Sequence, residues 1–227
     1  MIRTARQFVA LFRYVCARSL LSQRWVPPLS LYLVAFAALF AGGGDARGTG
    51  VVSAVLLLPI SAWMSTTALN ADDTSQVAVV SASVGSYLRG RAVTTITAMV
   101  VCGAVGTLGI AVALVADPRH GRPGGALATA ALLAVATMTT TVFGATLGSV
   151  CARPIIQRQG TSWLIAALVS VIAITAPWSP FTSMVSQLAA SHAGPLWPGV
   201  ARVVAENLAV STAMFAGGLF ASHRMAS

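Results

Sequence analysis

Long apolar runs broken by short polar segments organise this chain, and their lengths predict helices that cross a bilayer. A hydrocarbon core of about 30 Å needs about 20 apolar residues in helical form. Six stretches meet that need: about Val26 to Gly44, Val51 to Ala71, Ala92 to Ala116, Ala126 to Val150, Thr161 to Trp178 and Val203 to Ser222. The sixth has the most polar start, with Glu206 and Asn207 near its beginning.

Residues 1–25 show a different period. On a helical wheel Phe8, Leu11, Phe12 and Val15 share one face, and Arg3, Arg6, Arg13 and Arg24 lie opposite. That pattern predicts a helix lying in the membrane interface, with its arginines toward phosphates and water. Trp25 stands where interfacial aromatics anchor, and Pro27-Pro28 allow a bend into the first span. The basic, amphipathic start is not the pattern of a cleavable signal peptide. The chain thus divides into an interfacial helix over 1–25 and a six-helix transmembrane domain over 26–227.

Composition agrees with the pattern. Hydrophobic residues make up 56% of the 227 positions and charged residues only 8%. A soluble domain carries about 25% charged residues, so much of this surface must face lipid. The net charge of +9 does not indicate nucleic acid, because the arginines are scattered between apolar runs and form no continuous basic face. They orient the chain instead, since cytoplasmic loops collect positive residues. With the N-terminus inside, the cytoplasmic segments hold Arg3, Arg6, Arg13, Arg18, Arg24, Arg89, Arg91, Arg153, Arg158 and Arg224. The outside holds Arg47, Arg119, Arg122 and Arg202. The short loop with Arg119 and Arg122 runs against the rule, but the sum places both termini in the cytoplasm of a multi-pass plasma-membrane protein.

Two connecting segments carry more than connection. The first cytoplasmic loop, Asp72 to Arg91, opens on Asp72-Asp73 and closes on Gly85-Ser86-Tyr87-Leu88-Arg89-Gly90-Arg91. Either aspartate can cap a helix N-terminus, and Gly85 can end that helix. A short surface helix over about 72–86 is expected, with Arg89 and Arg91 at the inner membrane face. The segment from Pro177 to Arg202 is too broken by proline to span and too apolar for a free loop. It predicts one or two short helices dipping into the outer leaflet as a broken, re-entrant element.

Candidate chemistry is sparse. Asp45, Asp72, Asp73, Asp117 and Glu206 are the acidic residues, and none lies mid-span. His120, His192 and His223 fall in loops or at span edges, and no Walker-type phosphate loop is present. Cys16, Cys102 and Cys151 lack metal-ligand spacing and read as small apolar residues. The expectation is a chain without its own catalytic site, metal or cofactor. Thr94, Thr95 and Thr97, and Thr137, Thr139, Thr140 and Thr141, fit helix packing or the lining of a pathway. Gly103, Gly106 and Gly109, and Gly144 with Gly148, fit close helix approach. Trp63, Met64, Phe143 and Trp163 are candidate apolar liners, with lipid-facing or interhelix packing as the other reading.

The layout resembles the membrane subunit of a type-2 ABC transporter, an ABC exporter permease. The resemblance covers nearly the whole chain. It rests on this architecture and on the acidic start and Gly-Ser-x-x-x-Arg-Gly-Arg end of the first cytoplasmic loop. In that family the loop is a coupling helix seated in a groove of the ATPase subunit. The resemblance implies that Asp72, Asp73, Gln76 and Val77 sit at or near that contact, and that Arg89 and Arg91 hold its far end at the membrane. It also implies two ATPase subunits that bind ATP and Mg, and a second permease, identical or homologous. The cargo would be lipophilic or amphipathic (a drug, lipid or peptide), moved outward. A non-transporting membrane scaffold or assembly factor is the alternative. It predicts no ATPase partner.

Overall fold

The structure, a computed structural model, describes residues 2–41, 46–71, 76, 85–116, 125–153, 155–156, 158–177, 179, 182–183, 185–186 and 197–226. Among these it is all-helical, with no strand. Seven helices follow one another: α1 (Ile2–Leu21), α2 (Val26–Ala41), α3 (Ala46–Leu69), α4 (Tyr87–Ala116), α5 (Gly125–Cys151), α6 (Gln159–Thr175) and α7 (Trp197–Ala226). Four of them contain stretches long and apolar enough to cross a membrane: Gly48–Leu69, Tyr87–Val115, Thr129–Cys151 and Val200–Ala221. These point to a membrane protein. With 16 and 17 residues, α2 and α6 are shorter. At 1.5 Å per residue they reach roughly 24 and 26 Å, short of the ~30 Å hydrocarbon core.

Several boundaries differ from the sequence expectation. The bend before the first long apolar run falls at Ser22–Trp25, where Gln23 takes the left-handed φ of 53°. Pro27 and Pro28 lie inside the first turn of α2, where a missing N–H costs nothing. The helix expected to start near Ala92 starts at Tyr87, so Arg89 and Arg91 lie within α4 and not in a loop. The α6 helix ends at Thr175, before Pro177, since proline disfavours a helical residue ahead of it. Trp197 and Pro198, expected in the broken segment, begin α7. Proline in a first helical turn again fits.

Parallel helices α3 and α5 form the centre. Gly144 and Gly148 let them meet backbone to backbone: a Cβ at Gly144 would strike Leu58 O and Ala62 N, and one at Gly148 would strike Ala62 O. Farther along, Leu133 covers Gly50. On another side, Gly106 of α4 admits Leu57 and Thr137, and Gly109 admits Tyr32 and Phe36 of α2. The largest core cluster joins Val51, Leu58, Ile110, Leu132, Leu133, Phe143, Val200 and Val203 from α3, α4, α5 and α7. Membrane helices gain no hydrophobic drive from one another, so close packing and hydrogen bonds must hold them. One interhelix hydrogen bond joins the Tyr32 and Ser53 hydroxyls at 2.7 Å.

The threonine clusters mostly satisfy themselves within their helices. Thr94, Thr95 and Thr97 donate to Gly90 O, Arg91 O and Val93 O. Thr139 donates to Val135 O, and Thr140 to Ala136 O. Such back-bonding hides a hydroxyl without needing water.

Successive helices from α2 to α7 alternate in direction. The ends of α3 and α5, the starts of α4 and α6, and the C-terminal part of α7 therefore share one end of the bundle, here the basal end. The α1 helix joins them there. Leu11 and Val15 are buried with Val93 of α4, and Phe12 packs beside them. Much of the apolar face of α1 thus rests on protein, whereas Phe8 stays exposed.

Candidate functional site

The basal end concentrates the polar groups that tie helices together. Arg91 lies one turn into α4 and is only 6% exposed. Its guanidinium donates to Ser149 O and Arg153 O, at and just beyond the end of α5. It also donates to the Tyr87 hydroxyl at 3.3 Å, one turn back on its own helix. A helix C-terminus leaves carbonyls without intrahelical partners and carries partial negative charge. A planar, multidentate cation is suited to such an end. Burying Arg91 there trades its hydration for oriented carbonyl dipoles.

Two further carbonyls of this terminus are taken as well. Ser162 of α6 donates its hydroxyl to Cys151 O at 2.5 Å. The Ile155 N–H bonds Ala152 O at 3.2 Å. From α3, the Asn70 side-chain oxygen accepts the Arg153 N–H at 2.9 Å. Asn70 is 6% exposed, and its Nδ2 has no acceptor among the described residues. The turn between α5 and α6 is thus bonded to α3 through Asn70, to α4 through Arg91 and to α6 through Ser162.

These bonds bracket the first basal loop. Asn70 lies two residues before Asp72, and Gly85, at φ 74°, two residues before the start of α4 at Tyr87. Only glycine takes that left-handed conformation at no cost, and it allows the chain to turn into α4. Asp72, Asp73 and Val77 lie outside the described residues, as does most of the expected surface helix. Gln76 is helical and exposed. Arg89 is exposed on α4 while Arg91, two residues on, points into the bundle.

The four apolar candidates are not brought to one place. Trp63 of α3 and Trp163 of α6 stack, with ring centroids 5.6 Å apart. Met64 lines a pocket between α1 and the basal end of α3. Phe143 is buried in the main core cluster. Most of the Pro177–Trp197 segment lies outside the described residues. Where it is described, Thr182 donates to Ile174 O and Ala176 O and closes the end of α6.

Sequence reasoning missed Asn70, Tyr87, Ser149 and Ser162. Two signals were available: Asn70 as the polar residue ending an apolar run, and Tyr87 four residues before Arg91, on one helix face. Ser149 and Ser162 carried none, because serine is common throughout such spans.

Among the described residues no group of three His, Cys, Asp or Glu side chains could hold a metal ion. Cys16, Cys102 and Cys151 are free thiols. Comparison with known protein families, characterised proteins and solved structures finds no match for this chain.

Proposed function

We propose that the chain is the membrane permease subunit of an ATP-driven exporter of the type-2 ABC class. In this reading α2 to α7 are its six spans and the basal end is cytoplasmic. The short α2 and α6 would cross by local thinning of the bilayer, a modest cost per ångström of mismatch. Two permeases would enclose the pathway, and two separate ATPase subunits would supply the energy. The cargo would be lipophilic or amphipathic and would move outward.

The observation that supports this reading is how the first basal loop is mounted. A loop that transmits force needs stiff anchors at both ends. Here α3 enters the loop through Asn70 and α4 leaves it through Arg91, and both bond the α5–α6 turn. A push on residues 72–84 would move α3, α4 and α5 together. A partner ATPase with two nucleotide-dependent shapes could then bias the permease between two conformations of different cargo affinity.

The test is purification of the tagged chain from its native membrane in mild detergent, with identification of co-purifying subunits and an ATPase assay. Asp72 and Asp73 changed together to Arg provide the comparison. We expect an ABC ATPase with the native chain, and its loss from D72R/D73R while the permease itself stays monodisperse. No ATPase with the native chain in several detergents would end this reading in favour of a non-transporting scaffold.

A further inference from the structure

The outward face of α7 differs from the other faces that the bundle turns outward. On α6 the exposed positions include Trp163, Leu164, Ile165, Leu168, Val171 and Ile172. On α4 they include Val100, Leu108, Val112 and Val115. These are large apolar side chains, and they suit lipid tails. On α7 the buried stripe through Val200, Val203, Asn207, Ser211 and Gly218 fixes the opposite face, at about 3.6 residues per turn. Ala205, Ala209, Ala213 and Ala216 share that outward face, and all four are exposed. Leu208 and Val210 stand at its two margins.

The same face carries charge. Arg202 Nε and Glu206 Oε1 form an ion pair at 2.9 Å, with side chains 82% and 47% exposed. Both residues lie inside the apolar stretch Val200–Ala221. Glu206 stands about 9 Å along the axis from its start, at 1.5 Å per residue. Ionisable side chains at membrane depth are costly against lipid, and they face protein or water instead. Small residues give a lipid tail little to pack on, but they let another helix come close. Both features fit a protein neighbour of helical form. The described residues place none there, since the apolar stretch of α7 is only 22% buried.

The charges indicate which helix that neighbour is. Arg202 and Glu206 are opposite in sign and one turn apart on one face, so the face is complementary to itself. Copies of one chain enter the membrane in one orientation, because the arginine excess of their loops is the same. A twofold axis along the membrane normal then sets α7 beside α7 in parallel. Opposite charges about one turn apart bridge a parallel helix pair. We infer that the outward face of α7, centred on Ala209, is the surface at which two copies of this chain meet in the membrane, with Arg202 of one copy pairing with the partner's Glu206. The inference gives the second permease of the proposed function a contact and an identity, and to that extent it rests on that reading. The contact itself requires no ATPase.

The experiment is disulfide cross-linking of the full chain in native membranes, in a C16A/C102A/C151A background with one introduced cysteine. A209C and A213C should form dimers on mild oxidation, whereas L168C on α6 and V100C on α4 should stay monomeric. Ala209 is exposed, so A209L should spare the packing of the single chain. Added to the A213C chain, it should weaken dimer formation about tenfold, as overpacking at a close helix contact does. R202E and E206R should each reduce the A213C dimer. Co-expression of the two should restore it as a mixed dimer, because each then meets opposite charge across the axis. A misfolded chain is not rescued by another, so restoration also excludes a folding artefact. Cross-linking through L168C or V100C, with none through A209C or A213C, would move the contact to another helix and overturn the inference. Monomers at all four positions would overturn it too, even with an ATPase co-purifying. If the mixed R202E and E206R chains stay monomeric, the ion pair serves only its own helix and the interface falls. Dimers through A209C without a co-purifying ATPase would uphold the interface and end the transporter reading.

Discussion

Helices α5 and α7 run parallel, are nearly equal in length, and both contain a stretch apolar enough to span a membrane. Yet that stretch is 67% buried in α5 and 22% buried in α7. What differs is the placing of small and hydroxyl-bearing residues. On α5, Thr137, Thr139, Thr140, Thr141, Thr146 and Ser149 are buried, and Gly144 and Gly148 touch the backbone of α3. On α7 the buried positions Val200, Val203, Asn207, Ser211 and Gly218 form one narrow stripe, while Leu208, Val210 and Phe220 stay exposed. In a bilayer, lipid tails are as apolar as leucine, so hydropathy does not decide which helix is central. Close approach decides it.

The largest expected effect tests that contrast directly. Gly144→Leu forces a side chain into the carbonyl of Leu58 and the amide of Ala62, which are backbone atoms and cannot step aside. We expect destabilisation of about 3 kcal/mol or more, read as loss of the monodisperse peak after heating. Gly217→Leu on α7 meets nothing within 4 Å and should stay within about 0.5 kcal/mol of wild type. Equal effects at the two sites would break the comparison.

Next comes the clamp at the basal end of α5. Arg91→Ala strips the donors from Ser149 O and Arg153 O and should cost about 2–3 kcal/mol, with partial recovery in Arg91→Lys. Arg89→Ala removes an exposed neighbour and should cost little. The coupling reading sharpens this prediction: Arg91→Ala should also lower cargo-stimulated ATPase activity in the purified complex, beyond what loss of folded protein explains.

A smaller effect is expected where α2 meets α3. Tyr32→Phe deletes only the bond to Ser53 at 2.7 Å, and interhelix bonds of this kind average about 0.6 kcal/mol in membranes. A melting shift as large as that of Arg91→Ala would mean that α2 is more central than its packing indicates.

The smallest effect concerns Cys16 on α1. Partial burial raises its thiol above the ordinary 9.0. Its neutral form is therefore favoured in the fold, and the small stabilisation this brings is present below pH 9.0 and lost as pH rises through the raised value. Maleimide labelling should be slow near neutrality and climb only on the alkaline side. Fast labelling at neutral pH would mean that α1 leaves the bundle.

Much of this fold could be read from residue order. The apolar runs foretold apolar helices, four of them long enough to cross a membrane, because a run of bilayer length can be counted along the sequence. The glycines at 144 and 148 foretold a close approach, but not its partner. At the basal end, Arg91 was legible as a cation near a membrane face. Its burial against the end of α5 was not, because the Ser149 and Arg153 carbonyls lie more than 50 residues away along the chain and carry no side-chain signal.

The sequence by itself determined a helical chain with spans of membrane length, an amphipathic first helix and an excess of arginine toward one side. These are sums and periods over neighbouring residues. Only the tertiary structure decided that α3 and α5 stand at the centre, that the apolar face of α1 rests on Val93, and that Arg18 and Arg24 share one pocket with α3. Each of those depends on which surfaces fit at contact distance, and dispersion and hydrogen bonding fall away within an ångström of that distance. Such a fit is a property of two segments together, and no local pattern in either one contains it.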